Sequence, residues 1–256
     1  MTKQLQNYIA GHWQSSDKVF AKTSPFDGSL VAEVHEATSD MVDEAVTAGH
    51  DVSIGKQAHL WGALSMRQCL AAIYDFADKL LSRVDDLVVA DMADTGRSYW
   101  QASTFDGARA ARLFKAYADM AIGLESRSST FSGELGFQGL WYTTRRPKGV
   151  IACICPWNVP LLMAAMKVGP ALVMGNAAIL KPSEETPSSA TILAEVIASS
   201  DIPDGAFSLV HGFGQNSAGE FLTTHPKVDA ITFTGESGTG AAIMKVAANG
   251  LREVSL

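Results

Sequence analysis

Several stretches of this chain combine residue types that can do chemistry at short, fixed spacing. Pro156-Trp157-Asn158-Val159-Pro160 sets a carboxamide between two prolines, directly after an apolar run that contains Ile154. Prolines fix the backbone. An Asn held this way can donate N–H to a developing oxyanion, a contribution of roughly 3–4 kcal/mol in a transition state. It can equally cap the helix that follows, and the residues alone leave these two readings even. Lys181-Pro182-Ser183-Glu184 places a cation and a carboxylate where they can grip the two hydroxyls of a ribose, or form an ordinary surface ion pair. Gly214 and Gly219 let backbone approach a ligand closely. Phe233-Thr234-Gly235-Glu236, followed by Thr239 and Gly240, opens onto a helix whose N-terminus can attract phosphate. Plain turns would use the same glycines. Lys167 is the single charge between Gly149 and Leu180, and its bland reading is a lysine snorkelling from an apolar helix.

Other motifs are missing the residues their chemistry needs. Gly212-Phe213-Gly214 does not continue into the G-x-G-x-x-G fingerprint. Gly235 to Gly240 spans the glycines of a phosphate loop, but Ala241 and Ala242 stand where its Lys and Ser/Thr must be. Thr239 takes the place of the last glycine of a G-x-S-x-G elbow. With no H-E-x-x-H and no paired C-x-x-C, no metal site is expected. Cys153 and Cys155 alternate in an apolar strand and read as small core hydrophobes on one side of it; Cys69, on an amphipathic helix, reads the same way. The six histidines are scattered over different elements, and none has a catalytic partner in the sequence.

The elements that must position these residues come in two styles. Residues 7–38 read as short strands and turns. Ser39 and Asp40 supply N-cap chemistry for a first helix, a second starts near Ser65, a third runs from Val84 to a stop at Thr95-Gly96, and a long amphipathic segment covers 99–124. Glycines 133, 136 and 139 and the strand formers of 140–144 predict a protruding hairpin within 133–148. After Pro147 the chain alternates strand and helix: strands at 150–155, 177–180, 207–210 and 230–234, helices at 161–174, 188–200, 217–224 and 240–248, and a last strand-like stretch at 252–256. That order predicts an α/β fold, a Rossmann-like parallel sheet with helices on both faces. Ligands on such sheets sit beyond the carboxyl ends of the strands, so the loops after Cys155, Leu180, Val210 and Thr234 should share one site. Three units follow: 1–132, 133–148 as an oligomerisation hairpin, and 149–256 as the nucleotide-binding sheet.

Composition narrows the function. The 256 residues are 47% hydrophobic and 18% charged, enough for a sizeable core. The formal net charge of −7 repels a phosphate backbone, so nucleic acid is not an expected partner. No apolar run follows a basic region at the N-terminus. The apolar stretch 149–180 is too interrupted by Pro156, Pro160, Pro170, Gly169 and Gly175 for a membrane helix, and no membrane partner is expected. Three cysteines do not make a disulfide framework, which points to the cytoplasm.

The four segments around Asn158, Lys181–Glu184, Gly212–Gly219 and Phe233–Gly240, in this order and after successive strands, resemble the NAD(P)-dependent aldehyde dehydrogenase superfamily. The resemblance covers essentially the whole chain but only the N-terminal half of a family member. It implies NAD as cofactor and a small-molecule aldehyde as substrate. By this likeness Ile154, Pro156, Trp157, Asn158, Lys181, Ser183, Glu184, Gly214, Gly219, Phe233, Thr234, Gly235, Glu236 and Thr239 bind cofactor. Asn158 also holds the oxyanion, and Lys167 stands near the catalytic centre. A carboxylate at Glu184 repels a 2′-phosphate, so NADP is the less favoured cofactor. Glu236 departs from the Ser that many members carry, as in the branch acting on semialdehydes from aromatic-ring breakdown. In the family the strand matching Glu253–Leu256 continues into the Glu general base, and the Cys nucleophile follows later, so the catalytic domain is expected to be absent and the chain inactive alone. A homo-oligomer is expected as well. A non-catalytic nucleotide-binding module, or a related acyl-phosphate or acyl-CoA reductase, are the competing readings.

Overall fold

A computed structural model describes residues 3–124 and 126–256. Five short strands come first: β1 (Gln4–Leu5), β2 (Asn7–Ile9), β3 (His12–Gln14), β4 (Val19–Thr23) and β5 (Leu30–His35). Helices α1 (Ser39–Ser53), α2 (Met66–Ser82), α3 (Val84–Thr95), α4 (Tyr99–Gln101) and α5 (Ala108–Ile122) follow, then a hairpin of β6 (Ser128–Ser132) and β7 (Gln138–Tyr142). From there strand and helix alternate: β8 (Val150–Ile154), α6 (Pro160–Val173), β9 (Ala177–Lys181), α7 (Ser188–Ala198), β10 (Phe207–Leu209), α8 (Ala218–Thr224), β11 (Ala230–Phe233), α9 (Ser237–Ala248) and β12 (Glu253–Ser255).

The central sheet runs β12-β11-β8-β9-β10-β2-β3, and its first five strands are parallel. Val150, Ala152 and Ile154 of β8 join Ala177 and Ile179 of β9 in one apolar cluster, with residues of α1, α8 and α9. Cys153, Ala178 and Leu180, on the alternate positions, join the cluster built by α2, α5, α6 and α7. Parallel strands buried on both faces need apolar residues along them, and β8 and β9 meet that demand up to Lys181, which closes β9. The fold is therefore the expected α/β sheet with helices on both faces.

Several boundaries differ from the sequence reading, each for a local reason. Residues 7–14 extend the main sheet: β2 pairs antiparallel with β10 through Tyr8 and Leu209, and with β3 through a two-residue turn. Ala10 and Gly11 both have positive φ, 49° and 91°, as that tight hairpin turn demands. A Cβ on Gly11 would lie 2.3 Å from the Asp204 carboxyl carbon. The cap of α1 is Thr38, whose hydroxyl accepts the Met41 N–H at 3.2 Å, rather than Ser39 or Asp40. The amphipathic segment is broken by a π-helical turn at Ala102–Gly107. The protruding hairpin begins at Ser128, before the glycines that suggested it, because the Ser/Thr-rich 128–132 pairs with 138–142. Helix α9 starts at Ser237 rather than 240, because Glu236 caps it.

Candidate cofactor cleft

The loops after β8, β9, β10 and β11 converge on one cleft of about 910 Å³, walled on one side by α8 and α9. Every residue that sequence assigned to cofactor binding lines it, whereas Lys167 does not. Ile154, Phe233 and Ile243 give it an apolar floor, and Trp157, half exposed, stands at its rim.

Asn158 sits just outside the end of β8. Its Oδ1 accepts the Val159 N–H at 3.1 Å, and Val159, not Asn158, holds the N-cap position of α6, which has no side-chain cap. The helix-cap reading of Asn158 is thereby set aside. With the carbonyl oxygen engaged locally, the amide Nδ2 has no protein partner among the described residues and is free to donate.

Lys181 closes β9 and is buried. Its Nζ donates to Pro182 O at 3.0 Å and lies 3.7 Å from Glu184 Oε2. Burial pushes the ammonium below its usual range, while the Glu184 charge opposes that shift. Beneath it, the fully buried His211 is pushed down to about 3, first by burial and then by the Lys181 charge. It is a neutral imidazole at ordinary pH and adds no second charge beside Lys181. Ser183 turns the loop by accepting the Glu185 N–H at 3.2 Å.

Gly214 and Gly219 divide the role expected of them. Nothing lies within 4 Å of a Cβ built on Gly214, whereas one on Gly219 would meet Phe213 O at 2.9 Å. Gly214 borders open space in the cleft; Gly219 lets α8 pack against the loop. Glu236 turns back over α9, its Oε2 accepting the Thr239 N–H at 3.0 Å.

Lys167 is 8% exposed, so it does not snorkel. Its Nζ donates to Thr232 Oγ1 at 3.1 Å and Thr234 Oγ1 at 3.0 Å, tying α6 to the end of β11. Desolvation lowers its pKa. The three cysteines are buried, and burial raises each thiol, Cys69 to about 11 and Cys155 to about 12, with Cys153 raised further.

Some supporting residues escaped the sequence reading. Ser217 Oγ donates to Glu36 Oε1 at 2.6 Å and accepts the Phe213 N–H at 2.9 Å, fixing the loop that carries Gly214. Asp94, at the end of α3, accepts from Ser188 N at 2.8 Å and Ser188 Oγ at 2.9 Å, fixing the end of the loop that carries Glu184. Nothing local in the sequence marks either pair. Ala242, Ile243 and Val246 also line the cleft, on the same helix as the expected Thr239, and their helical spacing was a readable signal for that wall. Among the described residues no three His, Cys, Asp or Glu side chains gather as a metal site, and no helix is long and apolar enough to cross a membrane.

The profile of the aldehyde dehydrogenase family matches residues 13–256. A 2-aminomuconic 6-semialdehyde dehydrogenase of Pseudomonas sp. is 46% identical over 99% of this chain and 51% of its own length. A 2-hydroxymuconic semialdehyde dehydrogenase of Pseudomonas sp. (strain CF600) is 42% identical over 99% of this chain and 52% of its own. An aldehyde dehydrogenase from Bacillus cereus, solved as its NAD+ complex, superposes with a TM-score of 0.91 at 29% identity, covering 98% of this chain and 50% of that one. The chain thus spans about half the length of the curated relatives it matches.

Proposed function

The chain belongs to the aldehyde dehydrogenase family, and we propose that it provides the NAD-binding cleft of an enzyme that oxidises a semialdehyde to a carboxylic acid. The observation that carries this reading is the convergence of four strand-end loops on one cleft with the Lys181–Glu184 pair inside it. The residues present fit NAD. The apolar floor suits flat rings, the paired Lys and Glu offer a donor and an acceptor to ribose hydroxyls, and the start of α9 supplies backbone N–H groups at the mouth. Bound there, NAD supplies the hydride acceptor.

The chain's own residues do the rest. Asn158 offers its free amide N–H to the aldehyde oxygen as charge gathers on it. Lys181, held by Pro182 O and Glu184, fixes the ribose. Lys167 keeps Thr234 in place at the end of β11 without touching the cleft. A nucleophilic thiolate does not come from these residues, since Cys69, Cys153 and Cys155 are buried and hold their protons at neutral pH. Residues 1–256 by themselves therefore bind cofactor without turning aldehyde over. A cytoplasmic homo-oligomer completes the reading, the exposed β6–β7 hairpin being the element available for pairing.

Glu184 should favour NAD over NADP, because a carboxylate beside a 2′-phosphate repels it. Equilibrium titration of both cofactors into the protein and into Glu184→Ser tests this. The preference should narrow by about 1–3 kcal/mol in the variant, the size of a polar discrimination. An unchanged NAD/NADP ratio would mean that Glu184 is only solvated, and absence of NAD binding by the parent protein would end the reading.

A further inference from the structure

Three carboxylates line the cleft, and two have local duties. Glu184 pairs with Lys181, and Glu220 accepts the Asn216 N–H at 2.7 Å. Glu236 is different. It is the cap of α9, a twelve-residue helix whose Thr239, Ala242, Ile243 and Val246 form one wall of the same cleft. Its Oε2 accepts the Thr239 N–H at 3.0 Å. A Cβ on Gly238 would stand 2.9 Å from Oε2 and 3.2 Å from Oε1, so the carboxylate lies across position 238. The Gly238 and Thr239 N–H groups hold its carboxyl below the usual range. A full negative charge thus occupies the first turn of α9, which is where a helix favours an anion.

On the reading that this cleft takes a dinucleotide, we infer that Glu236 is a tethered anion occupying the first turn of α9 and setting the affinity for the cofactor's diphosphate. Two anions cannot share one set of backbone donors. A diphosphate that enters must displace the carboxylate from Thr239 N–H or bind beside a like charge, and either course weakens its hold. The adenosine part of the same ligand carries no charge for the Glu236 carboxylate to oppose. The effect is therefore specific to phosphate. Its consequence is easier departure of the spent cofactor, a step that limits many enzymes of ordinary turnover.

Calorimetric titration of NAD, ADP and adenosine into the protein, Glu236→Gln and Glu236→Ser tests the inference. Glu236→Gln keeps an oxygen for the Thr239 N–H and removes only the charge, so it isolates the electrostatic part and guards against loss of the helix start. Both variants should bind NAD and ADP about two- to fivefold tighter, the range expected for removing one exposed charge that competes at a helix terminus. Adenosine should bind as before. Unchanged or weaker NAD and ADP binding overturns the inference while leaving the dinucleotide reading in place. Equal tightening of adenosine also overturns it, since the cause would then be space rather than charge. If the parent protein binds none of the three, the dinucleotide reading and this inference fall together.

Discussion

Asn158 owes its proposed use to a bond with its own neighbour. Because Oδ1 is engaged by the Val159 N–H and the side chain is exposed, the amide is oriented without being consumed by the fold. In the enzyme that contains this chain, Asn158→Ala should lower kcat by about 10²–10³, the usual loss for one oxyanion donor. Thermal stability should stay within about 0.5 kcal/mol, as for other exposed substitutions. Unaltered turnover would return Asn158 to a turn residue. Residues of this kind were legible in the sequence because their chemistry and their setting lie within a few positions: Pro156 to Pro160 is a complete unit, and so is Lys181 to Glu184. Glu36 and Ser217 were not legible, since they are 181 positions apart and neither is unusual where it stands. Lys167 shows the middle case. Its solitary charge was visible, but the two threonines that receive it come from β11 and the residue just after it, some 65 positions on.

At the scale of elements, sequence failed mainly where a side chain rather than periodicity sets a boundary. Thr38 begins α1, and Glu236 adds a turn to α9 that Gly238 and Gly240 had disguised as loop. The junction of α3 and α7 is the most consequential of these, because Asp94 holds the first residue of α7, just beyond the loop that bears Glu184. Burial raises the Asp94 carboxyl from 3.8 to about 6, against the opposing pull of the two Ser188 donors and of Lys22 and Lys3. Since the folded protein holds this proton more tightly than the unfolded chain, the benefit is fully present below the unfolded value and is lost as pH rises through about 6. The ionised group then costs the fold up to about 3 kcal/mol. Asn in this place keeps an oxygen for the Ser188 N–H and does not titrate. Denaturant unfolding at pH 4 and pH 8 should therefore show Asp94→Asn gaining on the parent by about 1–3 kcal/mol between the two. A difference between the proteins that does not change with pH would show that Asp94 titrates normally.

For the whole molecule, the alternation of apolar strands and helices after Pro147 was enough to read five parallel strands and the strand ends at which the cleft opens. It could not show that β2 and β3 extend the sheet, because that addition joins Tyr8 to Leu209 and carries a turn at Ala10-Gly11. Nor could it show how far the β6–β7 hairpin stands from any support. Both of its strands are almost wholly exposed, and Phe131, Phe137, Leu140 and Tyr142 each keep more than half of their surface in water. An isolated two-stranded hairpin is at best marginally stable in water, and its exposed apolar side chains, Leu140 and Tyr142 on one face and Phe131 and Trp141 on the other, mark it as a contact element. Burial of these side chains against a second copy would be driven by the hydrophobic effect. Light scattering and sedimentation at about tens of micromolar should accordingly find the protein associated. Replacing Leu140 and Trp141 together by serine should shift it towards monomer, while the far-ultraviolet circular dichroism stays the same because neither side chain belongs to the main core. A parent protein that is already a stable, monodisperse monomer with weak binding of an apolar dye would show that the hairpin stands unaided and that oligomerisation has to be sought elsewhere.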